Sequence, residues 1–372
     1  MKKLLPLLLF AVLASCGGKE AGTIETDNVL QNLTFSVDTM LIDSGEGLFN
    51  LSGTLHLSYQ SPNLLYLFDE KLTRIQKVDL DKRALVSTFH FEKEGPNGTG
   101  TNLSNLQSLA QDRFLIVSNE AQGIYKADGT KELNLGLANF SDPENDSEPE
   151  IQLPFEMQIS ADGNFAYAIV GDFFEGNWSF VRINLEGKSL KTWDMPEFLN
   201  SRKFTIMLNG SDSFDLHAED IHLNKLNEKV AVTAGNTSSI YLYDPSSDSL
   251  SLVTFPHEIT ATEKTGTYPL EVTSTKEYDN IITEIKSEIT YGTFIWDSSR
   301  EKYFRIGYKS INDYKKYEVF LYAYDKKLNL IGEQKVEGLN KIPSHYFFKD
   351  GKLYSYVNVE DELGFAVFTF DF

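Results

Sequence analysis

Residues 345–372 read HYFFKDGKLYSYVNVEDELGFAVFTFDF, and their pattern is the clearest evidence for the fold. Aromatic and aliphatic residues alternate with polar ones through three segments, and a polar turn at residues 349–351 separates the first two. A period of two with many Tyr, Phe and Val residues is typical of strands with one or both faces buried. The stretch therefore predicts three strands and leaves no residues for a fourth.

The same hairpin pattern occurs five more times along the chain. The hairpins occupy residues 57–68, 106–118, 157–170, 221–234 and 294–308. After each hairpin comes a strand that ends near an Asp or Asn, then a turn and a further strand. These anchors are Asp79, Asp128, Asn184, Asp244, Asp325 and Asp371. Asx side chains bind the backbone of the next turn, so they suit such corners. Six units of four strands predict an all-β fold, a six-bladed β-propeller.

The sixth unit lacks its fourth strand, and an unassigned strand-like run upstream can supply it. Residues 32–43, NLTFSVDTMLID, precede the first unit. An open ring would leave unpaired sheet edges, which invite aggregation. We therefore expect this N-terminal strand to complete the last blade. The alternative is a set of unrelated hairpins in a β-sandwich with a second domain.

One segment has helical rather than strand periodicity. In residues 278–289, Tyr278, Ile281, Ile282, Ile285 and Ile289 fall on one helical face. This pattern predicts one short helix within an insertion at 275–289.

The N-terminus has the pattern of an export signal. Residues 1–15, MKKLLPLLLFAVLAS, combine two lysines with an apolar run too short to span a bilayer. The following LASC resembles the lipobox of bacterial lipoproteins, which implies that Cys16 carries lipid. We expect a signal peptide at 1–15, a flexible tether at 16–28 and a single propeller domain at 29–372. The alternative is a plain secretory signal with an incidental cysteine.

Composition agrees with an exported globular body and argues against nucleic acid as a partner. The formal net charge is −20, and without residues 1–15 there remain 32 basic and 54 acidic residues. Such a field repels phosphate backbones. Cys16 is the only cysteine, so no disulfide can support the fold. We expect the membrane to be a partner only through lipid on Cys16.

Several of these motifs together resemble a Bacteroidota lipoprotein family of unknown function. The lipobox, EGPNGTG at 94–100, FIWDSSREKYFRIGY at 294–308 and YAYDKKLNLIGE at 322–333 carry the resemblance. Lys19 and Glu20 also resemble the surface-export signal of such lipoproteins, although a solvated linker explains them equally well. The resemblance implies a six-bladed propeller in the cell envelope, and it implies no activity.

The densest cluster of side chains with possible chemistry is DLHAEDIHLN, residues 215–224. It opens the fourth unit, where an inner strand would begin beside the channel. The candidates for a metal or ligand site are His217, Glu219, Asp220 and His222. Strand alternation would place His217 and Glu219 on one face and Asp220 and His222 on the other, so only part of the set can converge. No cofactor is predicted, although a divalent cation is possible; ordinary turn and surface residues are the alternative.

Two loops are weaker candidates. In EGPNGTGTN, residues 94–102, the glycines allow a tight turn or close approach to a ligand, which makes Glu94 and Asn97 loop candidates. The acidic stretch at 141–150 has some ligands of a calcium loop but lacks its glycine and its bidentate glutamate, so a solvated connector is favoured.

Two classes of function remain open. The first is a non-catalytic propeller that binds a protein, peptide or glycan partner at the cell envelope, through loops such as 138–150, 197–213 and 257–287. The second is a metal-dependent envelope hydrolase or lyase with its site in the channel. We favour the binding protein, because no motif requires catalysis. We expect it to be lipid-anchored in the outer membrane, facing either the periplasm or the cell surface.

Overall fold

The computed structural model describes residues 28–51, 55–61, 63–140, 154, 156–211, 213–311 and 316–372. In this part of the chain the strands form six antiparallel sheets of four strands each and one smaller sheet of three. Each four-stranded sheet uses consecutive strands, except that the last combines the first strand of the chain with the final three. These sheets are blades 1 to 6, and the blade that contains the C-terminus is blade 6.

The first strand, β1 (Thr34–Leu41), belongs to blade 6. Blade 1 consists of β2 (His56–Ser61), β3 (Leu64–Asp69), β4 (Arg74–Asp79) and β5 (Ala84–His90). Blade 2 consists of β6 (Leu103–Leu109), β7 (Arg113–Ser118), β8 (Gln122–Tyr125) and β9 (Lys131–Asn134). Blade 3 consists of β10 (Glu156–Ile159), β11 (Phe165–Val170), β12 (Ser179–Asn184) and β13 (Ser189–Asp194).

Two further strands, β14 (Ile206–Asn209) and β15 (Phe214–His217), precede blade 4. Blade 4 consists of β16 (Ile221–Leu226), β17 (Lys229–Ala234), β18 (Ile240–Asp244) and β19 (Ser249–Val253). Next come β20 (Glu271–Val272) and the helix α1 (Thr275–Ser287). Blade 5 consists of β21 (Thr290–Asp297), β22 (Lys302–Ile311), β23 (Lys316–Tyr324) and β24 (Leu330–Lys335). Blade 6 adds β25 (Phe347–Lys349), β26 (Lys352–Val359) and β27 (Glu362–Asp371) to β1. Two 3₁₀ helices span Leu137–Asn139 and Pro196–Phe204.

The core lies between the blades. A hydrophobic cluster fills each junction, from blades 1 and 2 through to blades 5 and 6. A further cluster joins blade 6 to blade 1, where Phe365 of β27 and Leu65 of β3 are fully buried. Each blade therefore buries both faces against its two neighbours, which closes the sheets into the ring of a β-propeller rather than a sandwich.

The inner strands of the six blades lie next to one another and surround the axis; they are β2, β6, β10, β16, β21 and β25. Amide side chains connect them. The Gln107 side chain bonds both the N–H of Ile159, at 2.7 Å, and its carbonyl, at 3.2 Å. Gln158 in turn donates to the carbonyl of Leu223 at 2.9 Å. The inner strands of neighbouring blades belong to different sheets, so their backbone groups do not pair with each other. The amide side chains satisfy some of these backbone groups instead.

The strand β1 completes blade 6 as the sequence predicts. It pairs antiparallel with β27 along its whole length, from Thr34 opposite Asp371 to Leu41 opposite Gly364. The predicted run of 32–43 is thus confirmed, with observed bounds Thr34–Leu41. The predicted Asx corners also form. For example, the Asp244 carboxylate accepts the N–H of Ser246, and the Asn184 side chain accepts the N–H of Gly187.

The ring has two different faces. On the hairpin face lie the turns that join first to second strands and third to fourth strands. On the crossover face lie the described turns between second and third strands and the described connections from one blade to the next. The longest described connections, 195–220 and 254–289, flank blade 4 on the crossover face.

Those two connections build one small unit, the insertion. The strand β14 pairs antiparallel with β15 and parallel with β20. The helix α1 begins after Ser274, whose hydroxyl accepts the N–H of Glu277, as in a capping box. Its apolar face and the sheet share one hydrophobic cluster, whose fully buried members include Ile206 and Ile285. The predicted helix is confirmed, whereas the three-stranded sheet had no sequence signal that we recognised.

The structure corrects one prediction about the fourth unit. Residues 215–222 do not start a single inner strand. The strand β15 ends at His217 within the insertion, and β16 begins at Ile221 in blade 4. The three residues between them, Ala218 to Asp220, change the direction of the chain from one sheet to the other. Strand alternation therefore does not set the directions of these side chains.

Candidate functional site

Three sequence predictions fall outside the described residues. They are the signal peptide at 1–15, the lipidation site Cys16 with Lys19 and Glu20, and the acidic stretch at 141–150. The loop candidates Glu94 and Asn97 are described. Glu94 is exposed, and Asn97 accepts the N–H of Lys131 through its side chain at 3.1 Å, which ties the loop to blade 2.

The four candidates in 217–222 separate into two groups. His222 bonds Glu156 of blade 3 through Nδ1 at 2.8 Å, and the other oxygen of Glu156 accepts the N–H of Leu223. Burial lowers the pKa of His222, but the bond to Glu156 and its charge outweigh burial and raise it to about 9. His222 therefore belongs to the contact between the inner strands of blades 3 and 4.

The second group surrounds a buried ion pair. The Nζ of Lys264 lies 2.6 Å from Oε1 of Glu219, and the two side chains are 2% and 3% exposed. Glu219 fits here because residue 235 is glycine: a Cβ at that position would lie 2.6 Å from Oε2 of Glu219. Burial raises the pKa of Glu219 more than the Lys264 ammonium lowers it. The pair brings together the two connections that flank blade 4.

A cavity of about 330 Å³ opens beside this ion pair on the crossover face. The lining residues come from the insertion, from blade 5 and from the connection to blade 6: His217, Ala218, Glu219, Asp220, Lys264, Lys286, Thr290, Tyr308, Tyr317 and Ile342. We name it the insertion cavity. It includes three of the four predicted residues, and of these His217 and Glu219 approach to 4.0 Å.

One polar atom in the insertion cavity lacks a hydrogen bond. The Nε2 of His217 is buried, and no partner lies within hydrogen-bonding distance among the described residues. Burial, with the nearby Lys264 and Lys286 charges, lowers the pKa of His217 to about 4. The imidazole is therefore neutral at neutral pH, with one nitrogen able to donate and the other to accept. A buried polar atom without a partner requires an explanation, and a bound molecule is one.

A buried network holds the second connection that contributes to the cavity. The Glu333 carboxylate of blade 5 accepts the N–H groups of Glu258 and Ile259, at 2.8 and 3.1 Å. It also bonds Nδ1 of His257 at 3.0 Å. The His257 side chain is fully buried, so this network fixes the chain before Lys264 and is itself closed to ligands.

Sequence reasoning missed the residues that complete the cavity. Lys264 and Lys286 lie in the second connection, and Tyr308 and Tyr317 lie in blade 5, far along the chain from 217–222. No local pattern marks them, because only the packing of the insertion against blade 5 brings these residues beside 217–222. Across the described residues, no three His, Cys, Asp or Glu side chains are placed to hold a metal ion together.

A second cavity, of about 610 Å³, lies on the hairpin face between blades 3 and 4. Two of its carboxylates, Asp162 and Asp244, are already used by local turns. Asp162 bonds Ser160 and Asn164, and Asp244 bonds Lys229 and Ser246. These groups stabilise the turns of the repeat, so the insertion cavity is the stronger candidate site.

The comparisons with known proteins concern the fold and the family. In the described part of the chain, no helix is long and apolar enough to cross a membrane. The sequence matches no curated protein. A solved DUF4221 family member from Bacteroides vulgatus ATCC 8482 is similar in structure, with a TM-score of 0.62 and 14% identity. The alignment covers 91% of this chain and 98% of that one.

Two other solved structures are similar to a lesser degree. A candidate exported protein from Bacteroides fragilis NCTC 9343 has a TM-score of 0.50 and 11% identity, with 95% of this chain and 98% of that one covered. A streptogramin B lyase has a TM-score of 0.41 and 12% identity, with 91% and 98% covered. At such identities the likeness concerns the fold alone. Residues 26–335, most of the sequence, match the domain of unknown function DUF4221, so this chain belongs to the DUF4221 family.

Proposed function

We propose that this protein is a lipid-anchored binding protein of the cell envelope, in which the propeller presents the insertion cavity to a protein, peptide or glycan partner. The LASC motif at Cys16 supports the anchor. The proposal places the protein outside the cytoplasm, in the outer membrane, and assigns no reaction to it. The membrane contact is made by lipid, and the partner contact by the crossover face.

The observation that carries the binding role is the buried Glu219–Lys264 pair beside an open cavity. Removing two charges from water costs several kcal/mol per ion, and replacing such pairs by apolar residues is often neutral or stabilising. The propeller could hold its connections together more simply with apolar side chains. A charged pair at the wall of a cavity is better explained by polar contacts with a binding partner.

The position of the pair also favours binding. In repeat folds the connections between units vary while the repeat preserves the scaffold, so binding surfaces form on the connections. The insertion is the largest described departure from the four-strand repeat, and its elements wall one side of the cavity. The Glu219 carboxylate is occupied by Lys264, which suits a role in recognition rather than proton transfer.

The anchor is tested by Cys16→Ala, with Thr23→Ala in the same segment as the matched control. Cells expressing each variant are fractionated without detergent, and the protein is labelled metabolically with a fatty-acid analogue. We expect Cys16→Ala to leave the membrane fraction and to lose the label, while Thr23→Ala keeps both. Cys16→Ala protein that still sediments with membranes would contradict the anchor.

The binding role is tested by placing a photo-crosslinking amino acid at Tyr317, in the insertion cavity, and at the exposed Lys225 on the hairpin face. Both variants are irradiated in intact cells of the native host. We expect a discrete adduct at Tyr317 and none at Lys225. The absence of any adduct at Tyr317, in protein whose melting temperature matches the parent, would count against the cavity as the binding site.

A further inference from the structure

We infer that the insertion cavity binds a neutral saccharide, either a single sugar or the terminal residue of a glycan. This inference rests on the proposed function and names the class of ligand for the same site. It is argued from the charges, the hydrogen-bonding groups and the aromatic walls of the insertion cavity.

The charges of the lining balance. Two carboxylates, Glu219 and Asp220, face two ammonium groups, Lys264 and Lys286, and the His217 imidazole is uncharged at neutral pH. An anionic ligand would meet the two carboxylates and a protein of net charge −20. A cationic ligand would meet the two ammonium groups. Because burying an unpaired charge is costly, a neutral ligand fits this lining best.

The hydrogen-bonding groups favour hydroxyls in that ligand. His217 presents a buried Nε2 without a partner, and its neutral ring exists in either of two tautomers. A hydroxyl group can donate and accept, so it can pair with Nε2 in both tautomers. The same cavity adds the hydroxyls of Thr290, Tyr308 and Tyr317 and the exposed carboxylate of Asp220. The cavity therefore presents both hydrogen-bond donors and hydrogen-bond acceptors, which suit the several hydroxyl groups of a sugar ring.

The aromatic walls suit the apolar faces of a sugar. Tyr308 and Tyr317 are half-buried, with ring centroids 6.2 Å apart and planes at 83°. Aromatic side chains combine a large apolar surface with a polar tip, and a sugar ring likewise has C–H faces and a hydroxyl rim. A volume of about 330 Å³ lies at the small end of the range for ligand pockets. The cavity therefore admits one ring, with the rest of a longer chain outside.

The test uses the full-length lipidated protein in detergent micelles and saturation-transfer NMR. The probes are methyl glycosides of glucose, galactose, mannose, fucose, rhamnose and N-acetylglucosamine, with glycylglycine and inorganic phosphate as comparison compounds. We expect at least one glycoside to bind saturably. The key variant is His217→Leu, which removes the unpartnered nitrogen at similar volume, and His90→Leu, at an exposed position of blade 1, is its control.

We expect His217→Leu to weaken glycoside binding by up to about tenfold, the value of one hydrogen bond, while His90→Leu leaves it unchanged. Tyr317→Ala should weaken it as well. Since His217→Leu relieves an unsatisfied buried atom, its melting temperature without ligand should not fall, which separates a lost contact from a lost fold.

The outcomes separate this inference from the proposed function. If glycylglycine or phosphate binds in a His217-dependent manner and no glycoside does, the saccharide class is wrong and the cavity remains a binding site. If no probe binds but the Tyr317 crosslink persists, the saccharide class is again wrong. If neither binding nor crosslinking occurs, both proposals are overturned.

Discussion

At the scale of single residues, the Glu219–Lys264 pair is a buried ion pair at the wall of the insertion cavity. Each partner neutralises a charge that the protein interior would otherwise expel. The pair also joins the bend before blade 4 to the connection after it. The net contribution of the pair to stability is therefore the difference between two large terms, the attraction of the two charges and the cost of removing them from water. Substituting one partner alone measures instead the cost of leaving the other charge buried without a partner.

We expect Glu219→Gln to destabilise the protein by about 3–5 kcal/mol, because it leaves the Lys264 ammonium buried without its counter-charge. The double variant Glu219→Leu/Lys264→Met should recover most of that loss, because apolar side chains of similar size are buried without a desolvation cost. Equilibrium denaturant unfolding measures both. Glu301→Gln, which breaks an exposed pair with Lys326, is the control and should change stability little. A double variant as unstable as the single one would contradict this account.

His217 makes stability depend on pH. Its folded-state pKa of about 4 lies below the ordinary value near 6.5, so between these values the unfolded chain binds more protons. Stability contributed by the neutral ring is present above pH 6.5 and is lost as the pH falls towards 4, by about 3 kcal/mol in total. Burial lowers the pKa of His257 too, which acts in the same direction.

We therefore expect the melting temperature of the parent protein to fall more between pH 7 and pH 4.5 than that of His217→Leu. The difference between the two proteins isolates His217, because His257 titrates in both. Calorimetry at a series of pH values provides the measurement. Parallel curves for the two proteins would show that His217 is protonated as easily in the folded state as in the unfolded one.

At the scale of elements, the insertion packs as a local unit on the propeller. The helix α1 covers the three-stranded sheet, and the cluster between them is separate from the six clusters between blades. Elements with their own small core can open locally without unfolding the rest of a protein. The wall of the insertion cavity that contains Lys286 and His217 therefore depends on this local packing.

We expect Ile285→Ala, which empties a fully buried site of α1, to destabilise the insertion by about 2–5 kcal/mol. Hydrogen exchange should speed up in α1 and in β14, while the inner strands of blades 1 to 3 keep their protection. Glu284→Ala, at an exposed position of the same helix, is the control. Faster exchange throughout the ring after Ile285→Ala would mean that the insertion and the propeller unfold as one unit.

At the scale of the whole molecule, the ring depends on one strand from the other end of the sequence. Without β1, the long strand β27 would expose its edge, and exposed edges pair with other chains. The junction of blades 6 and 1 would also lose Met40, which is buried in its cluster. Closure therefore contributes both stability and solubility.

Two proline variants on β1 test this closure. The N–H of Thr39 bonds the side chain of Asp38, so it points away from β27. Backbone groups alternate in direction along a strand, so the N–H of Asp38 points towards β27. We expect Asp38→Pro to lower the melting temperature and promote aggregation, because it removes a ladder hydrogen bond.

Thr39→Pro is the matched control for Asp38→Pro, since proline is tolerated where the N–H faces outward on an edge strand. Differential scanning calorimetry and light scattering compare the two. Equal behaviour of both variants would argue against the β1–β27 ladder as the element that closes the ring.

Much of the architecture could be predicted from the sequence because its signals are local and repeated. Alternating hydrophobicity marks each strand, Asx residues mark the corners, and the count of strands in the last unit required β1 as the missing partner. The helix α1 was predicted for the same reason, from Tyr278, Ile281, Ile282 and Ile285 on one face. The strand, corner and helix patterns each depend on residues close to one another in the chain, and the pairing of β1 with β27 followed from the strand count alone.

The tertiary structure alone decided the site. The cavity joins His217 and Glu219 to Lys264, Lys286, Tyr308 and Tyr317, residues from separate elements that meet only when the insertion packs against blade 5. The tertiary structure also pairs His222 with Glu156 of blade 3, so His222 does not join His217 in the cavity. Contacts across such distances in sequence depend on tertiary packing, and no local period or spacing records which side chains will meet there.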